Sequence, residues 1–392
     1  MKKVIWRPKV VSRPALMLIA LLSGIGMVMV ERYKPIDTSD YQQKLQASEL
    51  ANKAMDRIYR ERVQRGPEID PEFDLSQSGL IGLPMSSVTS VHGVLISKQT
   101  SINPNFAAVI VEMLKRAGVE EGDYVAVGLS GSFPALNICT YAAIETLGLK
   151  PIVISSCSAS EWGANIPDFL WIDMEGVLVG HTFTTRSDAV TIGGFEDRGV
   201  GLSPEGLADI ERSIVRSGIP KITAEDLSFT AHVDARMALY DQNAGTSPIK
   251  AYINVGGGSA STGRSIGKTF FQPGLNLRVK ERIPPEADGV MARFMQRGVP
   301  LIHLVQITQL AERYLSTGHL APDVPSVIPP TTKPKVGEGA IYQQRDYSKL
   351  GAATLLALIV LSLYGFIRSD IGFRLLQGSR SRKQPGHPEP MV

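Results

Sequence analysis

Three stretches of this 392-residue chain gather hydroxyls, glycines and charges directly after short apolar runs. The first is Gly128-Leu129-Ser130-Gly131-Ser132-Phe133-Pro134. An apolar strand runs into a Ser/Gly turn, and Pro134 suits the first position of a helix. Backbone N–H groups at such a helix start favour an anion, a carboxylate or a phosphate. The turn resembles a nucleophile elbow with Ser130 as nucleophile, but Ser132 stands where the Gly-x-Ser-x-Gly pattern needs its last glycine. A tight capped turn explains the same residues. The second stretch runs from Ser155 to Asn165 and holds Ser156, Ser158, Ser160, Glu161 and Trp162. An indole among hydroxyls suits a binding wall, and Glu161 suits a base or an amine ligand. Equally, Ser160 suits a helix cap with Glu161 in the first turn and Trp162 in the core. The third, Gly256 to Ser265, contains Gly257, Gly258, Ser259 and Ser261, and from Gly258 it spells G-x-x-x-x-G-R-S. Arg264 replaces the lysine that a phosphate-binding P-loop requires, which argues against nucleotide hydrolysis. A glycine loop that lets a ligand approach the backbone fits better, with Arg264 free to fork onto a carboxylate.

No metal signature accompanies these loops. His92, His181, His232 and His303 lie far apart, without H-x-x-x-H or Cys-pair spacing. No cofactor motif is complete either, so neither a metal nor a cofactor is expected. His181 is the candidate base nearest the Ser loops in sequence, although a lone histidine is more often structural. A Ser130–His181–Glu161 arrangement is arithmetically open and needs geometry to decide it.

The elements that would position these residues alternate. Strands are predicted over 124–129, 151–156, 189–194, 250–255 and 300–305. Helices are predicted over 102–117, 134–147, 204–217, 285–297 and 308–315. Short apolar strands alternating with helices argue for an α/β fold, a mainly parallel, Rossmann-like sheet with flanking helices. Ligands of such sheets bind beyond the carboxyl ends of the strands, where the three loops fall. Residues 40–65 read as a polar helix with apolar spacing at Leu45, Leu50, Ala54 and Ile58, expected to serve as a stalk.

Two charge-free apolar runs bracket this region, Ala15 to Val30 and Gly351 to Ile367. Each sits near the lower limit of roughly 17 residues for a membrane-spanning helix. Lys2, Lys3, Arg7, Lys9 and Arg13 precede the first, and Arg368, Arg374, Arg380, Arg382 and Lys383 follow the second. Basic flanks collect on the cytoplasmic side, which puts both termini in the cytoplasm and the main domain outside. A cleaved signal peptide would need a small-x-small site that Val30-Glu31-Arg32-Tyr33 does not offer. The resulting organisation is a basic tail (1–14), a transmembrane helix (15–31), a helical stalk and loop (32–84) and an extracytoplasmic α/β domain (85–320). A Pro-rich spacer (321–350), a second transmembrane helix (351–367) and a basic tail (368–392) follow.

The formal net charge of +3 is unevenly spread, because 31 basic against 36 acidic residues remain once the two tails are set aside. A mildly acidic outward domain is not a nucleic-acid binder. The two cysteines, Cys139 and Cys157, would suit a disulfide in an oxidising compartment or two small buried thiols.

The stretches GLSGSFPALN, SSCSASEWGANIPDFLWIDME and YINVGGGSAS, set between two terminal apolar runs, resemble the poly-gamma-glutamate system proteins. That resemblance implies a membrane component of bacterial poly-γ-glutamate synthesis or export, active in capsule or slime formation at the cell surface. It implies as partners the other synthesis and export subunits, the membrane and the polymer itself, and it supplies no catalytic residues. Beside it stands a second reading, a membrane-anchored serine-dependent hydrolase or transferase acting on γ-glutamyl amides.

Overall fold

The computed structural model describes residues 13–31, 35–37, 40–279, 282–316, 330–345 and 349–368. The basic tails 1–12 and 369–392 and stretches 321–329 and 346–348 of the Pro-rich spacer therefore lie outside the described residues. The chain divides into two compact units, one of residues 37–343 and one formed by the two ends.

The larger unit is α/β, as its alternating pattern predicts. Its six-stranded sheet comprises β1 (Tyr124–Ser130), β2 (Lys150–Ser156), β3 (Ala189–Thr191), β4 (Ile249–Val255), β5 (Gly274–Asn276) and β6 (Leu301–Leu304). Their order is β5-β6-β4-β1-β2-β3. All neighbours are parallel except β5 and β6, an antiparallel edge pair. The helices are α1 (Tyr41–Arg65), α2 (Leu95–Ser101), α3 (Phe106–Arg116), α4 (Pro134–Thr146), α5 (Trp171–Leu178), α6 (Pro204–Ser217) and α7 (Phe229–Ala244). Four more follow: α8 (Ser259–Thr262), α9 (Arg264–Phe270), α10 (Val290–Gln296) and α11 (Ile307–Tyr314).

The strands read as nearly continuous apolar runs because both faces are covered. Val125, Val127 and Leu129 of β1 join one core with α1, α3, α4, α5 and α11. Ala126 between them points to a second core with Phe229, Tyr240 and Phe294 from α7 and α10. Local signals fix the helix ends. Ser203 accepts from Gly206 N at 3.1 Å and Ser228 from Ala231 N at 3.1 Å, while Gly218 closes α6 at φ +64°.

Helix α1 is not a free-standing stalk. Ala47, Ala51, Ala54 and Ile58 are fully buried against α3 and α4. The small alanines let the helices approach closely, and a fully buried Ile such as Ile58 contributes about 1.5–3 kcal/mol. The helix belongs to the core of the α/β unit.

In the other unit, helices Arg13–Glu31 and Lys349–Arg368 run 19 and 20 residues. They pack so closely at Gly26 that a Cβ there would fall 2.3 Å from Leu355 Cδ1. Among the described residues no helix is long and apolar enough to cross a membrane, so the two expected crossings stay with the sequence argument.

Candidate functional site

The sheet order sets the site. The chain leaves β1 toward β2 and β3 on one side and returns to β4 on the other. The loops after β1 and β4 therefore diverge and open a crevice at the carboxyl edge, where parallel sheets bind ligands. A cleft of about 430 Å³ occupies this position. Its wall takes Ser130 and Ser132 from the loop after β1, and Ser156, Ser158 and Ser160 from the end of β2 and beyond. Gly257, Gly258, Ser259 and Ser261 come from the loop after β4. Nine of the fifteen residues singled out in the sequence thus converge here. Lys98, His92, Lys268 and the loop after β3 complete the wall, and exposed Val91, Val94 and Phe195 make an apolar rim.

The remaining candidates have other work. A Cβ on Gly128 would lie 2.4 Å from Tyr252 Oη, so that glycine serves strand-to-strand packing. Gly131 is wedged between loops: its N–H donates to the Ser156 carbonyl at 3.0 Å, and a Cβ would meet the Ser158 carbonyl at 2.8 Å. Trp162, at φ +57°, packs its ring 6.1 Å from Phe73 and forms no wall of the cleft. Glu161 accepts from Gly93 N and pairs with His92 Nδ1, each at 2.9 Å. Those bonds, the Gly93 N–H foremost, hold its carboxyl below the usual range. Arg264 is not a free fork: it pairs with Glu196 at 2.8 Å and stacks 4.4 Å over the Phe229 ring. His181 lines a separate cleft beside Asp56 and Arg60 of α1, so the Ser130–His181–Glu161 arrangement is not assembled.

Both cysteines are free and buried, and burial pushes both thiols up, away from thiolate chemistry at neutral pH. Of the two readings open for these cysteines, the structure has the two buried thiols. Among the described residues no cluster of His, Cys, Asp and Glu is arranged to hold a metal ion.

Two charged features of the cleft escaped the sequence reading. Arg236 of α7 and Asp197 form a buried pair, 2% and 4% exposed, with Nε donating to Oδ2 at 2.8 Å. Arg236 Nη2 also donates to Ser156 Oγ at 3.0 Å and to Thr191 Oγ1 at 2.8 Å, and Thr191 donates to Asp197 Oδ1 at 2.7 Å. This network holds Asp197 and its neighbour Glu196 at φ +64° and +55° and fixes the loop after β3 beside the Ser cluster. The second feature is Lys98, 3% exposed. Burial brings its amine down to about 7. Its Nζ donates to the Ser132 carbonyl, and to Ser160 Oγ at 2.8 Å.

The electrostatics follow. Asp197 is offset by Arg236 and Glu161 is engaged with His92. Among the described residues no carboxylate pairs with Lys98 or Lys268, so the cleft sets two amines, of which Lys98 is the one that burial makes easy to deprotonate, beside a floor of hydroxyls. That is the chemistry of a small anionic ligand, and the volume suits a single compact one. No family model, curated protein or solved structure matches this chain.

Proposed function

We propose that this chain is a membrane-anchored accessory component of poly-γ-glutamate synthesis or export. Its α/β unit binds a terminal glutamyl residue of the polymer, or a similar small carboxylate, in the hydroxyl-rich cleft. The observation that carries the binding role is the convergence of Ser130, Ser132, Ser156, Ser158 and Ser160 with Lys98 and Lys268, which pair with no carboxylate among the described residues. Hydroxyls and amines orient a carboxylate, and the exposed Val91, Val94 and Phe195 offer contact to the methylenes of a glutamyl side chain. A cleft of about 430 Å³ holds one residue rather than a run of polymer, in keeping with a domain whose overall charge is mildly acidic. Anchoring is supported by the charge-free runs 15–30 and 351–367 and their basic flanks, which give both termini to the cytoplasm and the α/β unit to the outside. The polymer system itself is supported by the resemblance of the three loop sequences.

The test is deletion of the gene in a polymer-forming host, with extracellular poly-γ-glutamate as the readout. The deletion strain loses polymer, wild type restores it, and a normally expressed Lys268→Glu does not. Unchanged polymer in the deletion strain would sink the assignment.

A further inference from the structure

A buried ammonium group ordinarily brings a carboxylate with it. Around Lys98 Nζ stand instead the Ser132 carbonyl, Ser160 Oγ at 2.8 Å and the face of Phe133, 3.8 Å from the ring centroid. The nearby carboxylates are turned elsewhere: Glu161, outside the cleft lining, to His92 and the Gly93 N–H, and Asp197, on the wall, to Arg236. Lys268, on the same wall, adds only like charge. The carbonyl and the ring face suit an amine in either charge state, but among the described residues no carboxylate holds it as a permanent cation. Lys98 Nζ lies 2.8 Å from Ser160 Oγ, placed to take that hydroxyl's proton when neutral.

Ser160 is correspondingly fixed. Its N–H donates to Ser132 Oγ at 3.0 Å and its carbonyl accepts from Gly163 N at 3.0 Å. Residues Ala159–Ser160 also pair with Thr89–Val91 as a short parallel ladder. Ser160 is among the residues that line the cleft, and it is 6% exposed. Ser130, the nucleophile suggested by sequence, has no such partner; its Oγ accepts from Ser132 N at 3.2 Å.

We infer that Ser160 and Lys98 form a nucleophile–base pair, and that the cleft cleaves an amide or ester whose acyl part carries a carboxylate. This rests on the cleft being the ligand site but not on the identity of the polymer. As Ser160 Oγ bonds to the carbonyl carbon, its proton passes to Lys98 Nζ. Collapse breaks the bond to the leaving amine or alcohol, which takes that proton from Lys98 and departs. Water then attacks the acyl ester, giving its proton to Lys98. The carbon–Oγ bond breaks and Oγ recovers the proton, so one water is consumed per bond cleaved. Replacing water by an amine makes the same sequence a transfer.

The test uses the full chain in detergent and a fluorophosphonate probe, which needs no knowledge of the substrate. Intact mass and peptide mapping are expected to find one adduct, on Ser160, forming faster as pH rises through about 7, where Lys98 loses its proton. Ser160→Ala removes the adduct. Lys98→Met slows it by roughly a hundredfold or more, the usual contribution of a general base, with the melting temperature of each variant recorded as a fold control. No adduct from about pH 6 to 9, an adduct on another residue, or an unchanged rate in a folded Lys98→Met would overturn the inference. Glutamate-oligomer binding is measured separately. A chain that binds oligomers and is never labelled keeps the binding role and loses the chemistry; one that is labelled without binding loses only the ligand class.

Discussion

Replacing Lys98 by methionine keeps the length of the side chain and removes the amine, which isolates the energetic signature of a buried base. Burial brings Lys98 from 10.5 down to about 7 in the folded chain. Between those values the unfolded chain holds a proton that the native state does not. Native stability therefore rises with pH across that window and is level below it. At 1.36 kcal/mol per unit, and allowing for partial titration at each end, wild type gains about 2 kcal/mol relative to Lys98→Met between pH 7 and pH 9. The lost bonds to the Ser132 carbonyl and Ser160 Oγ give a pH-independent offset of about 1 kcal/mol each. Urea unfolding of both full-length proteins, followed by the fluorescence of Trp162 and Trp171 in the α/β unit, reads the difference at the two pH values. A stability gap that stays constant, or that moves the other way, means Lys98 is charged when folded. The base role would fall with it.

Other parts of the site give their own tests. Asp197→Asn leaves Arg236 buried without its anion and should lower unfolding free energy by about 3–5 kcal/mol, seen as a large drop in melting temperature; a change within the range of surface mutants would refute the network. Gly131→Ala drives a Cβ to 2.8 Å from the Ser158 carbonyl and should destabilise by about 1–3 kcal/mol. Gly258→Ala, whose Cβ meets nothing within 4 Å, should fall well short of that in the same denaturation experiment. Arg264→Ala breaks a half-exposed pair with Glu196 and should alter stability by under about 1 kcal/mol. Ligand affinity should hold in this variant, whereas a lost affinity would restore Arg264 as a ligand-binding residue.

The sheet and the place of the site were legible because parallel strands announce themselves as short apolar runs and their carboxyl ends face one way. Ser130, Ser156 and Gly257 converge for that reason alone. Helix α7 was not legible, although Phe229, Val233, Met237, Tyr240 and Ala244 bury at helical spacing. Arg236 lies on that same stripe, and a charge on the inward face reads as surface until Asp197 is brought to meet it. The edge strand β5 is three residues long, too short for a periodicity. Leu45, Leu50, Ala54 and Ile58 of α1 read as the narrow stripe of a lone helix, while in the fold Ala47 and Ala51 join Ala54 and Ile58 in the buried face and allow close packing. Lys98 carried no signal at all: its surroundings come from the segments around Ser132 and Ser160, 34 and 62 residues further along. Charge type also misled at Arg264, because Glu196 reaches it only through the loop after β3.

The most direct test of the account is calorimetric titration of short γ-linked glutamate oligomers into the solubilised full chain, wild type and Lys268→Glu. The account predicts saturable binding that weakens with salt and is lost in the variant. No saturable binding, or binding that Lys268→Glu leaves intact, would contradict the assignment of the serine-lined cleft as the ligand site.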